Sequence, residues 1–320
     1  MTAQAPKIFI DGEAGTTGLG IRKRLAPLEQ AGRLRLLAID PAKRKEPAAR
    51  QALMAEADIT VLCLPDDAAR EAVALADELE HTSHATKVLD ASTAHRTQPG
   101  WVYGFPELAP GQEKLIAQAR RVANPGCYAT GAIALLHPLV SQGLVKADAP
   151  LSINAVSGYS GGGRKMMESH AREGGPAFML YALGKAHKHL PEISLRAGLA
   201  HPPLFVPSVG HFPQGMVVSI PLHQGVQLAP GLGGAEVRDA LARFYNQFTT
   251  HGVHVLDQPQ PTMVAEGLAG RDDMELAVHS VPEAKGVVLT ARLDNLGKGA
   301  SGAACRNIML MAGLENSKMI

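Results

Sequence analysis

The segment from Lys7 to Leu25 constrains the fold of this 320-residue chain more than any other. Lys7-Ile8-Phe9-Ile10 reads as a short buried strand, and Asp11-Gly12-Glu13-Ala14-Gly15-Thr16-Thr17-Gly18 follows it, with glycines in the spacing GxxGxxG ahead of a helical stretch. In that setting glycines let the backbone turn tightly and approach a pyrophosphate, whose charge a helix N-terminus attracts. The order strand, turn, helix is what the motif requires. Outside that order the spacing would mark only a glycine-rich turn, in a chain with 33 glycines.

The alternation continues. Leu34 to Ile39 and Ile59 to Leu64 read as strands, Asp67 to Glu80 as an alanine-rich helix, and Lys87 to Asp90 as a further strand. Strands alternating with helices imply an α/β fold with a Rossmann-like, doubly wound parallel sheet. Ligands bind at the carboxyl ends of such strands, so Leu64-Pro65-Asp66 and Asp90-Ala91-Ser92-Thr93 are expected to face a nucleotide. Asp40 stands where an acid would hydrogen-bond a ribose, but Lys43-Arg44-Lys45 follow it. Three cations there suit the extra phosphate of NADP, the other reading being a solvated basic turn.

From about Leu151 the pattern changes to longer strands broken by glycine and proline: Leu151 to Val156, Met216 to Ile220, Glu275 to Val281 and Val287 to Leu293. They are expected to be antiparallel, forming an α+β catalytic and dimerisation domain with a mainly antiparallel sheet. Ala235 to Phe248 reads as a helix, with Val237, Leu241, Phe244, Tyr245 and Phe248 at core spacing. A last helix shows Ala304, Ile308 and Met311 on one face. The expected division is residues 1–126 with 297–320 for the dinucleotide domain and 127–296 for the substrate domain.

Composition closes off other classes. With 46% hydrophobic residues the chain can bury two ordinary cores, and a net charge of +1 with 4% aromatic content gives no field for nucleic acid or an anionic membrane. The apolar stretches are too short to span a bilayer and the N-terminus lacks a secretory pattern, so a cytoplasmic protein is expected. Cys63, Cys127 and Cys305 are too few and too scattered for a disulfide framework or a zinc site, and no metal is expected.

Cys127 lies in Asn124-Pro125-Gly126-Cys127-Tyr128, a turn ahead of the apolar run Gly131 to Leu136. A thiol in the first turn of a helix meets unpaired amides and the positive end of the dipole, which favour the nucleophilic thiolate. A packed cysteine serving as a small apolar residue is the alternative. Three polar clusters follow. Ser157-Gly158-Tyr159-Ser160-Gly161-Gly162-Gly163-Arg164-Lys165 could cradle a second anion or be a plain loop. His187-Lys188-His189-Leu190-Pro191-Glu192 brings two imidazoles and a carboxylate together, and imidazole is the usual proton shuttle near neutrality. Asp294-Asn295-Leu296-Gly297-Lys298-Gly299 leads into the last helix.

Together these pieces, with Tyr103-Gly104-Phe105-Pro106-Glu107-Leu108, resemble the N-acetyl-gamma-glutamyl-phosphate reductases of the shorter bacterial type, within the semialdehyde dehydrogenase superfamily. The resemblance covers essentially the whole chain. It implies NADPH-dependent reduction of an acyl phosphate to a semialdehyde in arginine biosynthesis, with release of inorganic phosphate, through a cysteine thioester. It makes Cys127 the nucleophile and His189 the acid/base. Gly12, Gly15, Thr16, Thr17 and Gly18 would line the pyrophosphate, Ser157, Gly158 and Asn295 the nicotinamide half of NADP, with Lys43 and Arg44 at its extra phosphate, and Arg164 and Glu192 the substrate. A homo-oligomer, dimer or tetramer, is the expected assembly. Asp90-Ala91-Ser92-Thr93-Ala94-His95-Arg96 departs from the Asp-Leu-Ser-Ala-Asp-Phe-Arg of longer members. The rival readings are an aspartate-semialdehyde dehydrogenase or other acyl-phosphate reductase, and a dinucleotide-binding sensor without catalysis.

Overall fold

The computed structural model describes residues 4–80, 85–248 and 252–314, so the expected domain ends at 1–3 and 315–320 lie outside the described residues. The chain divides into two compact units: residues up to Pro106, Gly111–Pro125 and the chain from Ala300 onward form one, and Glu107–Pro110 with Gly126–Gly299 form the other.

In the first unit β1 (Lys7–Asp11), α1 (Thr16–Gln30), β2 (Arg35–Leu37), α2 (Pro47–Glu56), β3 (Ile59–Leu62), α3 (Asp66–Glu78), β4 (Lys87–Asp90), β5 (Val102–Tyr103), α4 (Gln112–Gln118) and β6 (Arg121–Ala123) follow in turn. The strands make one sheet in the order β2-β1-β3-β4-β6-β5, every pair parallel. Because strand side chains alternate between faces, Ile8 and Ile10 join a core with Ile21, Leu25 and Leu28 of α1, while Phe9 joins Leu62, Met54 of α2 and Ala69, Ala72 and Ala76 of α3 on the other face. That two-sided burial explains why β1 and β3 are nearly all apolar.

The second unit begins with α5 (Cys127–Ser141) and continues through β7 (Ser152–Gly158), α6 (Gly163–Glu173), β8 (Phe178–Leu180), α7 (Leu190–Ala197), β9 (Leu204–Gly210), β10 (Met216–His223), α8 (Gly234–Tyr245), β11 (Val253–Val255), β12 (Met274–Val281) and β13 (Gly286–Leu293). Its sheet runs β11-β12-β13-β10-β7-β9-β8. The four strands read from the sequence are indeed joined by antiparallel ladders, β7 to β10, β10 to β13 and β13 to β12. The sheet is nevertheless mixed, because β9 runs parallel to β7 and β11 parallel to β12.

Helix α5 is buried almost all round, and Gly131 is its point of closest approach to the sheet: a Cβ there would lie 2.9 Å from Val218 Cγ2. From α8, Val237, Leu241 and Tyr245 face the core, and Tyr245 donates from its hydroxyl to Ala134 O of α5 at 2.8 Å. The chain then returns as α9 (Gly302–Met311), whose Ala304, Ile308 and Met311 pack with β1 and α1 in the first unit. Among the described residues no helix is long and apolar enough to cross a membrane.

Candidate active site

At the nucleotide end of the first unit the chain turns sharply between β1 and α1. Gly12 has φ +85°, and a Cβ on it would lie 2.3 Å from the carbonyl oxygen of Cys63, just beyond β3. A Cβ on Gly18 would stand 2.7 Å from Cα of Glu13. Both positions therefore need glycine, the first for its backbone conformation and the second for close packing of helix against turn. Gly15 is the residue before α1, and no side chain caps the helix, so the amides of Thr16, Thr17 and Gly18 open the dipole at the carboxyl edge of β1 and β3, where the strand order reverses. This cradle fits a dinucleotide pyrophosphate.

The flanks of that cradle are fixed by contacts the sequence did not disclose. Asp11 ends β1 and takes Arg50 of α2 as its partner, Nε to Oδ2 at 2.8 Å, both buried. Burial pushes the Asp11 carboxyl up, against the lowering influence of Arg50. Asp90 is fully buried and binds Ser92 Oγ at 2.7 Å and His95 Nδ1 at 2.6 Å, while Thr93 N donates to Asp66 Oδ1 at 2.9 Å. This expected cofactor-facing segment is thus tied largely to itself. Lys43, Arg44 and Lys45 all lie exposed on the turn after β2, and Asp40 Oδ1 accepts from Ala42 N in the same turn.

In the second unit Gly126 is extended and Cys127 is the first residue of α5, again without a side-chain cap. Its thiol is half-buried, neither sealed in the core nor fully open to solvent. The backbone of Gly299 packs directly behind it, where a Cβ would approach Cys127 Cβ to 2.8 Å. Gly299 is held by its amide on Asp294 O at 2.9 Å, and its neighbour Lys298 makes a buried ion pair with Glu107 at 2.6 Å. Glu192, on the first turn of α7, accepts from Gly126 N at 2.8 Å through Oε1. A carboxylate offered by the resemblance as a substrate contact thus fixes the turn carrying Cys127.

His189 immediately precedes α7 and is 4% exposed, with its ring 5.8 Å from that of Tyr128, the residue after Cys127. His187 lies beside it, ring centroids 4.9 Å apart. Burial first, and Lys188 second, push the His187 imidazole down to about 4, so it stays neutral where His189 would work. Ser157 and Gly158 end β7, and a Cβ on Gly158 would meet Gln214 N at 2.7 Å. Asn295 is buried with its amide committed at both ends, Oδ1 accepting from Gly215 N at 2.8 Å and Nδ2 donating to Ser160 Oγ at 2.9 Å. Arg164 is exposed on the first turn of α6.

The second unit thus gathers Cys127, His189, Glu192, Gly299 and two tyrosines around one helix start. The sequence pointed to most of these. Tyr128 stood unremarked inside a quoted motif, and Tyr181 carries no motif at all.

Residues 29–116 match the semialdehyde dehydrogenase NAD binding domain and residues 127–295 the semialdehyde dehydrogenase dimerisation domain, which sets the class of the molecule. Solved aspartate semialdehyde dehydrogenases share the fold: the type II protein of Vibrio cholerae superimposes with a TM-score of 0.72 at 15% identity over 97% of this chain and 99% of its own, and that of Francisella tularensis with 0.70 at 12%, over 95% and 98%. Much nearer in sequence are N-acetyl-gamma-glutamyl-phosphate reductase 2 of Pseudomonas putida, 51% identical over 96% of this chain and 97% of its own, and the N-acetyl-gamma-glutamyl-phosphate reductase of Brucella ovis, 48% identical over 96% and 99%. The chain belongs to the N-acetyl-gamma-glutamyl-phosphate reductases.

Proposed function

We propose that this chain reduces N-acetyl-γ-glutamyl phosphate to the semialdehyde, a step of arginine biosynthesis, through a thioester on Cys127 with His189 as the proton-transfer group. The observation that carries this reading is the half-buried thiol at the uncapped start of α5, with an imidazole anchored beside the next residue.

The Cys127 thiolate adds to the γ-acyl carbon, and the tetrahedral oxyanion draws on the amides of the helix start. Collapse breaks the carbon to phosphate-oxygen bond, leaving the acyl group on sulfur, and His189 gives its proton to the departing phosphate. The nucleotide, when bound, would supply the hydride needed to bring the thioester carbon to the aldehyde level. The Cys127 sulfur then leaves as thiolate, released as the oxyanion regains its carbonyl. His189 recovers a proton from solvent. Gly126 and Gly299 hold the sulfur in place throughout, so a bimolecular capture becomes a positioned one.

Gly12, Gly15, Thr16, Thr17 and Gly18 would hold the pyrophosphate of the nucleotide, and Lys43 and Arg44 the extra phosphate that distinguishes NADP. The exposed triplet of cations after β2 supports NADP. Ser157, Gly158 and Asn295 would shape the nicotinamide side, and Arg164 would meet the charged end of the substrate. The match of residues 127–295 to a dimerisation domain supports a homo-oligomer, dimer or tetramer, assembled through the second unit.

Assaying phosphate-dependent reduction of NADP with N-acetyl-glutamate semialdehyde and with aspartate semialdehyde tests the reading. The first substrate should turn over and the second should not. Preference for the second, or activity without phosphate, contradicts it.

A further inference from the structure

The neutral imidazole beside the proton shuttle has work of its own. His187 Nδ1 accepts from the backbone amide of His189 at 3.2 Å, which places the ring proton on Nε2. Nε2 in turn lies 3.3 Å from the Tyr181 hydroxyl and therefore donates to it. Having accepted there, Tyr181 keeps its own proton and ends this pair of bonds. Tyr128, whose ring packs on that of His187, donates separately to the Ser208 carbonyl at 2.8 Å. The two bonds through His187 point the same way, from the start of α7 to the residue after β8.

Two further observations single out Tyr181. Ala182, the next residue, has φ +52°, one of only two non-glycine residues in the left-handed region among those described. Side chains resist that conformation, so the chain is held there against its preference, which fits a tyrosine that must turn inward from the exposed β8 edge. The rings are also packed as one cluster: Tyr181 to His187 at 5.7 Å, Tyr128 to His187 at 5.9 Å, and Phe205 against both Tyr128 and His187 at 5.4 Å and 4.9 Å. Burial is the main reason that both phenols resist ionisation, Tyr181 being pushed up to about 12, and each also feels the charge of Cys127. The hydroxyls thus keep their protons, and the bonds their direction, while the thiolate is present.

We infer that Tyr181 and His187 are positioning residues for the reduction: two directed hydrogen bonds, from the His189 amide through His187 to Tyr181, packed against the Tyr128 ring, fix His189 relative to the helix start bearing Cys127. His187 neither gives nor takes a proton in the reaction. A ring that accepts from the His189 amide cannot become an imidazolium without losing that bond. The inference rests on the thioester reading above.

Its test is a double-mutant cycle on the full-length enzyme with Tyr181→Phe, His187→Asn and the pair, each checked for folding by circular dichroism. Tyr181→Phe keeps the ring and removes the hydroxyl, while His187→Asn keeps an acceptor for the His189 amide and no longer reaches Tyr181. Misplacing a reacting group by a fraction of an ångström costs about tenfold, so each single change should lower kcat by about that factor and leave KM for the acyl phosphate within about twofold. The double variant should be no slower than either single one, since both break the same chain. The imidazole limb of the kcat/KM profile should survive in all three and vanish in His189→Asn. Losses that multiply, a wild-type rate in Tyr181→Phe, or a limb that disappears with His187→Asn overturns the inference. Absence of any acyl-enzyme in the wild-type protein would instead overturn the thioester reading itself.

Discussion

Cys63 and Cys127 are the same side chain at the ends of two strand-to-helix connections, and their surroundings differ in ways that, on the proposed reading, give them opposite chemistry. Cys63, half-buried like Cys127, follows β3, packs against the core shared by β1, α1 and α9, and lies near Asp90 and Asp11. Burial and then those two carboxylates push its thiol up to about 12, so it is a thiol at any working pH. Cys127 is half-buried at the start of a helix of fifteen residues that no side chain caps, with tyrosines that keep their protons nearby. On the proposed reading, nucleophilicity follows from where the sulfur sits. The carbonyl of Cys63 even serves the nucleotide turn, by excluding any side chain at position 12.

The sharpest way to break this contrast is to exchange sulfur for oxygen at each place. Cys127→Ser should lose activity by several orders of magnitude while still binding nucleotide, because a serine hydroxyl is scarcely ionised near neutrality. Cys63→Ser should leave turnover within about twofold, as expected of a side chain without a part in the chemistry. Steady-state assays with NADPH titrations by fluorescence check both, and equal damage from the two would erase the distinction. Next in size, His189→Asn should cost about 10²- to 10⁴-fold in kcat if it acts in proton transfer, and an unchanged rate and pH profile would remove it from the site.

Replacing Lys43, Arg44 and Lys45 together with alanine should weaken NADPH by about tenfold or more, the worth of one or two charge-assisted hydrogen bonds, and NADH far less. Equal losses would make the triplet a structural turn. The smallest effect is one of stability. His187 is held neutral down to about 4 from an ordinary 6.5, so between those values the unfolded chain binds more protons than the folded one. Stability from this group is therefore complete above about 6.5 and falls as pH drops toward 4, and His187→Asn should flatten that slope in urea titrations.

What could be read beforehand follows from which patterns are local. β1, β3 and β4 are short apolar runs between turn residues, and the GxxGxxG turn sits between strand and helix as its spacing requires. The missed elements are ones with weak patterns. β5 and β6 have two and three residues, and α2 begins at a proline and buries mainly Arg50 and Met54. β9 was hidden by Pro207, since proline lacks the donor a strand inside a sheet needs, yet it pairs with Ala155 of β7. The parallel ladder of β7 with β9 escaped notice for that reason.

The candidate site divides in the same way. Cys127 and the glycines could be singled out because one helix start or one tight turn suffices to suggest a role, whereas His189 was picked out by the family resemblance and not by its local pattern. The clamp of Glu192 on Gly126, the commitment of the Asn295 amide and the packing of His187 on Tyr128 join residues distant along the chain, and only the folded chain brings them together.

The most direct test of the account is mass spectrometry of the wild-type enzyme, mixed with N-acetyl-γ-glutamyl phosphate in the absence of nucleotide, quenched in acid and digested. One N-acetyl-glutamyl adduct per chain on the peptide containing Cys127 is the expected result. An unmodified Cys127, or an adduct on Cys63 or Cys305 instead, would contradict it.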